Sequence, residues 1–251
     1  MSDLSPPVPA ATLVLMRQRG SGAPEVLVME RTGNMAFAAG ALVFPGGRID
    51  QEDREAAAGY PQFEDAAARI AAVRETIEET GLAPALAPPP DARTRCLLRE
   101  GVEAGRPFVA LLAELGLELD LAALTPFARW CPNFREARRF DTFFFLAEAP
   151  ADAPEPVVSE AEAVRAFWAS AAAILGEIEA GRAQAIFPTR RNLERLARFG
   201  SIAEARADAA RHPVTRITPW VEERGGSKYV CIPEGIGYPV TAEPLETARR
   251  S

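Results

Sequence analysis

Glu75, Glu78 and Glu79 stand at relative positions 0, +3 and +4 in the run Arg74-Glu75-Thr76-Ile77-Glu78-Glu79-Thr80-Gly81-Leu82. On an α-helix that spacing puts all three carboxylates on one face. Like charges so placed destabilise a helix by roughly a few tenths of a kcal/mol per pair. A cation seated among them removes that cost, and hard oxygen donors select Mg²⁺ or Mn²⁺ rather than zinc or copper. Ile70, Val73 and Ile77 form an apolar stripe on the other face. Gly81 suits a left-handed C-terminal cap. The segment therefore reads as a rigid helix, packed on one side and presenting acid on the other. The plainer alternative is a solvated acidic face, with Arg74 merely balancing charge.

The element that must meet this helix lies upstream. Ala41-Leu42-Val43-Phe44 is an apolar strand that runs into Pro45-Gly46-Gly47, a turn whose glycines allow close approach of a ligand or a metal. Together the Gly-Gly turn and the Arg-Glu-x-x-Glu-Glu-x-Gly helix resemble the Nudix box, in its expected strand-turn-helix context. Gly47 fills the opening glycine of that pattern. Asp53 stands where the family has its first glutamate, and 20 residues, Arg54 to Val73, replace the usual seven. Thr76 sits at a position that is usually aliphatic. The catalytic half of the box is intact.

Further motifs resemble one coenzyme A-cleaving branch of the family. They are Trp130-Cys131-Pro132, Arg139-Phe140-Asp141-Thr142-Phe143-Phe144, Pro188-Thr189 with Leu193, and Ile217-Thr218-Pro219. The longer basic stretch that precedes the Gly-Gly turn in better-known coenzyme A diphosphatases is absent, and Asn34-Met35-Ala36-Phe37-Ala38 takes its place.

The resemblance implies hydrolysis of a phosphoanhydride in a nucleoside diphosphate-linked compound, coenzyme A or an acyl-coenzyme A being candidates. It places Mg²⁺ or Mn²⁺ on Glu75, Glu78, Glu79 and the backbone carbonyl of Gly46, with Arg74 fixing a helix carboxylate. The general base is either a box glutamate or a later one, Glu160 or Glu162, whose alternative is a solvated loop. Asp53 is either a replacement carboxylate or a turn residue. Arg31, Arg48, Arg138 and Arg139 are the candidates for phosphate contacts, each with the alternative of an ordinary surface arginine. Asp141, alternating with apolar neighbours, is a candidate to pair with an arginine inside the site. A non-catalytic nucleotide or metabolite sensor is the competing class. Such a sensor is expected to lose box carboxylates, and this chain keeps all three.

The whole chain reads as a soluble intracellular protein. Its 251 residues, 48% hydrophobic and 25% charged, suffice for a full core. A net charge of −7 argues against a protein that coats nucleic acid or an anionic membrane. Cys96, Cys131 and Cys231 have no paired spacing, which suits a reducing compartment. No signal core or apolar run of ~20 residues is visible, so a cytoplasmic location is expected. Nudix enzymes of this size are often homodimers.

Pattern and turn chemistry predict strands at 11–16, 26–30, 41–44, 139–146, 163–168 and 230–232, and one beginning at Trp130. Helices are expected at 93–103, 108–115, 119–124, 169–180, 190–199 with Thr189 as N-cap, and 201–211 with Ser201 as N-cap. The reading is a Nudix-type α/β/α sandwich around a mixed sheet. It spans 10–235, with a box insertion at about 54–65, a helical insertion at about 91–127, C-terminal helices, and flexible ends at 1–9 and 236–251.

Overall fold

In the computed structural model, residues 6–32, 40–132, 139–150, 153–158 and 163–248 are described. The first half of the chain forms β1 (Val8–Arg17), β2 (Glu25–Arg31), β3 (Leu42–Val43), β4 (Gly46–Arg48) and α1 (Gln51–Ala56). After these come α2 (Ala66–Thr80), β5 (Leu86–Ala87), α3 (Ala92–Glu103), α4 (Phe108–Glu114) and β6 (Glu118–Leu119). The central strands continue with β7 (Thr125–Trp130), β8 (Phe140–Glu148) and β9 (Ala163–Ser170). The remainder is α5 (Ala171–Glu179), α6 (Phe187–Leu196), α7 (Ile202–Arg211), β10 (Arg216–Ile217), β11 (Trp220–Arg224), β12 (Ser227–Cys231), β13 (Ala242–Pro244) and α8 (Leu245–Ala248).

The main sheet runs β10-β7-β8-β1-β2-β3, with β4 also on β1 and β9 also on β2. It is mixed: β1 and β8 pair in parallel, as do β7 and β10, while β7–β8, β1–β2 and β2–β9 are antiparallel. β1 is buried on both faces, which explains its nearly continuous apolar sequence. Leu13 and Leu15 join one core with Ile70, Val73 and Ile77 of α2 and Phe145 of β8. Val14 and Met16 join a second core with Ile174, Leu193, Leu196 and Ala205 of α5, α6 and α7. The sheet thus lies between two helical layers, as expected for the α/β/α class.

α2 is built as its sequence dictates. Ile70, Val73 and Ile77 are fully buried, and Gly81 closes the helix at φ 67°, its N–H bonded to the Ile77 carbonyl at 2.9 Å. Thr76 tolerates its aliphatic position because its hydroxyl donates to the Ala72 carbonyl at 2.7 Å, leaving the methyl to pack. The extra residues before α2 carry Tyr60 and Phe63 against the first core.

Several expected elements shift. Leu119–Leu124 is not a helix: Leu119 ends β6, which pairs with β5, and only Leu121–Ala123 makes one 3₁₀ turn. Arg69 holds this stretch by donating to the Leu121 and Leu124 carbonyls at 2.7 and 2.6 Å. The chain then passes into strand at Thr125. Trp130 ends a strand rather than beginning one, because Pro132 two residues on has no N–H to continue a ladder. α6 begins at Phe187, with Pro188 in its first turn and Thr189 inside it, so Thr189 is not the cap. Proline suits that turn because the missing N–H has no intrahelical partner anyway. Among the described residues, part of each expected end is paired or packed. Val8 and Pro9 pair with Phe140 and Asp141, β13 pairs with β12, and the buried Tyr238 hydroxyl donates to Asn192 Oδ1 at 2.7 Å. No helix of the described residues is long and apolar enough to cross a membrane.

Candidate active site

The acidic face of α2 meets the Gly46-Gly47 turn. β4 lies antiparallel to β1, with Gly46 opposite Thr12 and Gly47 opposite Ala11, which presses the turn onto α2. The Gly46 N–H donates to Glu79 Oε2 at 2.8 Å. A Cβ on Gly47 would stand 2.4 Å from the carboxylate carbon of Glu75, and one on Gly46 would stand 2.4 Å from the Ala11 carbonyl oxygen. At Gly46 the obstacle is backbone, so the close approach requires glycine; at Gly47 it is the mobile end of Glu75, which a side chain would displace. Gly46 was expected to act through its carbonyl; the side-chain contact seen here is through its N–H.

Arg74 collects the carboxylates. Its Nε and Nη2 donate to Asp53 Oδ1 and Oδ2 at 3.1 and 2.9 Å, and its Nη1 donates to Glu75 Oε1 at 2.9 Å. Glu78 Oε2 lies 3.6 Å from the same Nη1, and Asp50 Oδ2 lies 3.7 Å from Nη2. The Arg48 carbonyl accepts a further bond from Nη2 at 3.1 Å. Asp53 is buried, and its Oδ2 also accepts the Asp50 N–H at 2.9 Å, closing the capping box of α1. The aspartate standing in for the family's first glutamate is thus a fixed carboxylate that aims Arg74, not a loose turn residue. Asp50, which no motif marked, joins the group as the N-cap of α1.

Among the described residues no three His, Cys, Asp or Glu side chains converge closely enough to cage an ion. Glu75 and Glu78 lean instead on the Arg74 guanidinium. The donor set nonetheless suits a hard cation. Burial pushes the Glu75 carboxyl up to about 7, the Glu78 and Asp50 charges add to the rise, and Arg74 opposes it only in part. Glu75 is therefore a largely enclosed carboxylate whose desolvation Arg74 only partly offsets.

That shift carries a stability prediction for the metal-free protein. A carboxyl whose folded pKa is raised contributes stability that is fully present below its unfolded value near 4.5 and is lost as pH rises through about 7. The difference amounts to about 3 kcal/mol at most. Metal-free Glu75→Gln is expected to melt above wild type at pH 8 and level with it below pH 4.5. Thermal melts in chelator at both pH values check this; a variant less stable at pH 8 would refute it.

The other candidates lie at the same end of the sheet by topology. Arg31 ends β2, Arg48 ends β4 and Arg139 precedes β8. The Arg31 side chain has a buried Nε with no hydrogen-bond partner. Arg48 is exposed and meets the site through its carbonyl. The Arg139 carbonyl accepts the Val8 N–H at 2.8 Å. Glu160, Glu162 and Arg138 lie outside the described residues. Asp141 does pair with an arginine, Arg129, which donates through Nε and Nη2 at 2.8 and 2.9 Å. The sequence signalled the aspartate, an acid in an apolar strand, but gave no sign of which arginine it meets.

No protein-family model matches the chain. Among curated proteins, the human acyl-coenzyme A diphosphatase NUDT19 is 30% identical over 71% of this chain, which spans 62% of that relative's length. Among solved structures, a NUDIX hydrolase from Alicyclobacillus acidocaldarius is 30% identical with a TM-score of 0.71, covering 82% of this chain and 97% of that one. The NUDIX domain of Shewanella oneidensis NrtR, solved with ADP ribose, is 16% identical with a TM-score of 0.45, over 78% of this chain and 88% of that one. With the hydrolase from Alicyclobacillus acidocaldarius matched over nearly its whole length at that identity, this chain belongs to the Nudix hydrolase superfamily.

Proposed function

We propose that the chain is a divalent-metal-dependent hydrolase that cleaves the phosphoanhydride bond of a nucleoside diphosphate-linked compound. The observation that carries this reading is the acidic face of α2 laid on the Gly46-Gly47 turn, with Glu79 bonded to Gly46 and Glu75 packed on Gly47. Glu75, Glu78 and Glu79, with the Gly46 carbonyl, would hold Mg²⁺ or Mn²⁺. Bound there, the ion would neutralise diphosphate charge and lower the pKa of a water. In the reaction the water oxygen bonds to one phosphorus, the bridging P–O bond breaks, and the other phosphate leaves with the bridging oxygen.

The chain's own residues prepare that step. Asp53 aims Arg74, Arg74 orients Glu75, and the Gly46 N–H fixes one oxygen of Glu79. Arg74→Ala should weaken metal binding roughly 10–100-fold, as loss of a group that orients a ligand does. Calorimetric titration of Mn²⁺ checks this; unchanged affinity would make Arg74 an ordinary ion-pair partner.

Coenzyme A or an acyl-coenzyme A is the substrate class favoured by the motif likeness outside the box and by the activity for which the human relative is named. A soluble anionic metabolite also fits a chain of net charge −7 better than nucleic acid does. Product analysis on coenzyme A, acetyl-coenzyme A, NADH, ADP-ribose and a diadenosine polyphosphate, with and without Mg²⁺ or Mn²⁺, tests the reading. Metal-dependent cleavage of one compound identifies the class. Tight binding of one without any cleavage would favour a sensor.

A further inference from the structure

A single register row crosses the sheet from the box to its far edge. Gly47 of β4 lies opposite Ala11 of β1, Ala11 beside Phe143 of β8, Phe143 opposite Arg129 of β7, and Arg129 beside Arg216 of β10. Residues paired across strands share a face of the sheet. The Gly47 end of the row faces the Glu75 carboxylate, so Phe143, Arg129 and Arg216 stand on the active-site face. A bulge in β7 produces this arrangement: Phe127 and Ala128 both join the opposite core, which turns Arg129 back toward the α2 side.

The three side chains form one built group. The Arg129 guanidinium lies 4.4 Å from the centre of the Phe143 ring and chelates Asp141. Arg216 Nε lies 3.5 Å from Asp141 Oδ2, and its Nη2 donates to Cys131 Sγ at 2.8 Å. Two guanidinium groups thus share one carboxylate, which leaves one positive charge over. Asp141 and Phe143 fix the plane of Arg129, and the one carboxylate offsets only one of the two charges. Both stay reachable, with side chains 35% and 48% exposed. At about 4.8 Å per strand step, Arg129 is about 14 Å from Gly47 along the sheet. That span exceeds the cleaved diphosphate, so the group serves a separate anion.

We infer that Arg129 and Arg216, braced by Asp141 and Phe143, form a subsite for a phosphate monoester carried by the substrate beyond the bond that is cut. The inference rests on the diphosphate hydrolase reading above and adds what else the substrate must carry. Planar, oriented guanidinium groups are the side chains best matched to phosphate oxygens. Substrates with such a monoester are selected over those without it, and the row sets their direction across the sheet.

Equilibrium binding of adenosine 3′,5′-bisphosphate and of AMP, in the presence of Mg²⁺, tests the subsite without requiring turnover. Absence of cleavage in the diphosphate panel would count against the hydrolase reading, and this binding comparison would still decide the subsite. Wild type should prefer the bisphosphate by about tenfold or more, the scale of a charge-assisted hydrogen bond. Arg216→Gln, which leaves the Arg129–Asp141 pair intact, should lose most of that preference at an unchanged melting temperature. Arg216→Lys should keep part of it, and Arg129→Gln should lose it where the variant folds. No preference in wild type, or an undiminished preference in Arg216→Gln, overturns the inference.

Discussion

Glu78→Gln and Glu79→Gln should each lower turnover at least ~100-fold while leaving the fold intact, as loss of a group essential to metal-dependent hydrolysis does. The fold should survive because neither carboxylate is part of a core. Glu78 is only half-buried and lies 3.6 Å from Arg74 Nη1. Glu79, although buried, accepts the Gly46 N–H, which a glutamine oxygen can also accept. What each variant loses is negative charge, and charge is what a cation needs. Steady-state rates on the substrate found by product analysis, read beside thermal melts, separate the two effects. Near-wild-type turnover in both variants would remove the box from the mechanism.

Alanine at the two neighbouring glycines should fail in opposite ways. At Gly47 the new Cβ meets the Glu75 carboxylate at 2.4 Å, the far end of a flexible side chain. Glu75 can retreat by about 1 Å, and a displacement of that size costs on the order of 100-fold in rate. Gly47→Ala should therefore fold nearly as well as wild type and work poorly. At Gly46 the new Cβ meets the Ala11 carbonyl oxygen and the Thr12 Cα, both backbone, at 2.4 and 2.7 Å. Backbone within a sheet cannot retreat, so Gly46→Ala should cost stability, about 1–3 kcal/mol or more. Melting temperature and rate measured on both variants decide this. The same pattern of loss in the two would mean that the turn is not laid on α2 as described.

How far the sequence alone reached depends on how local each feature is. α2 was readable because its apolar stripe, its acidic face and its Gly81 cap lie within one continuous segment. The same holds for α7, where Ser201 Oγ accepts the Glu204 N–H at 3.2 Å as an N-cap should. Two-residue strands such as β5, β6 and β10 carry no period to detect and exist only through their partners. The helix expected at 119–124 gives way to strand and a 3₁₀ turn for that reason.

Within the site, the carboxylates and Arg74 were legible from spacing. The hold of Asp53 on Arg74, across 21 positions, depends on how α1 packs on α2. Arg129 was missed because a bulge reverses the alternation of β7. From pattern alone Phe127-Ala128-Arg129-Trp130 gives no sign that two successive residues face one core. Buried Tyr238, bonded to both Trp130 and Asn192, likewise has no local signal, and the C-terminal stretch read as loose on that account.

The most direct measurement is a titration of Mn²⁺, followed by its paramagnetic resonance signal, into wild type and Glu79→Gln at pH 8. The expected result is a protein-bound ion in wild type whose affinity falls at least about tenfold in the variant, with melting temperatures unchanged in the absence of metal. Equal binding by both proteins, or no binding by either, would contradict the assignment of the metal to the acidic face of α2.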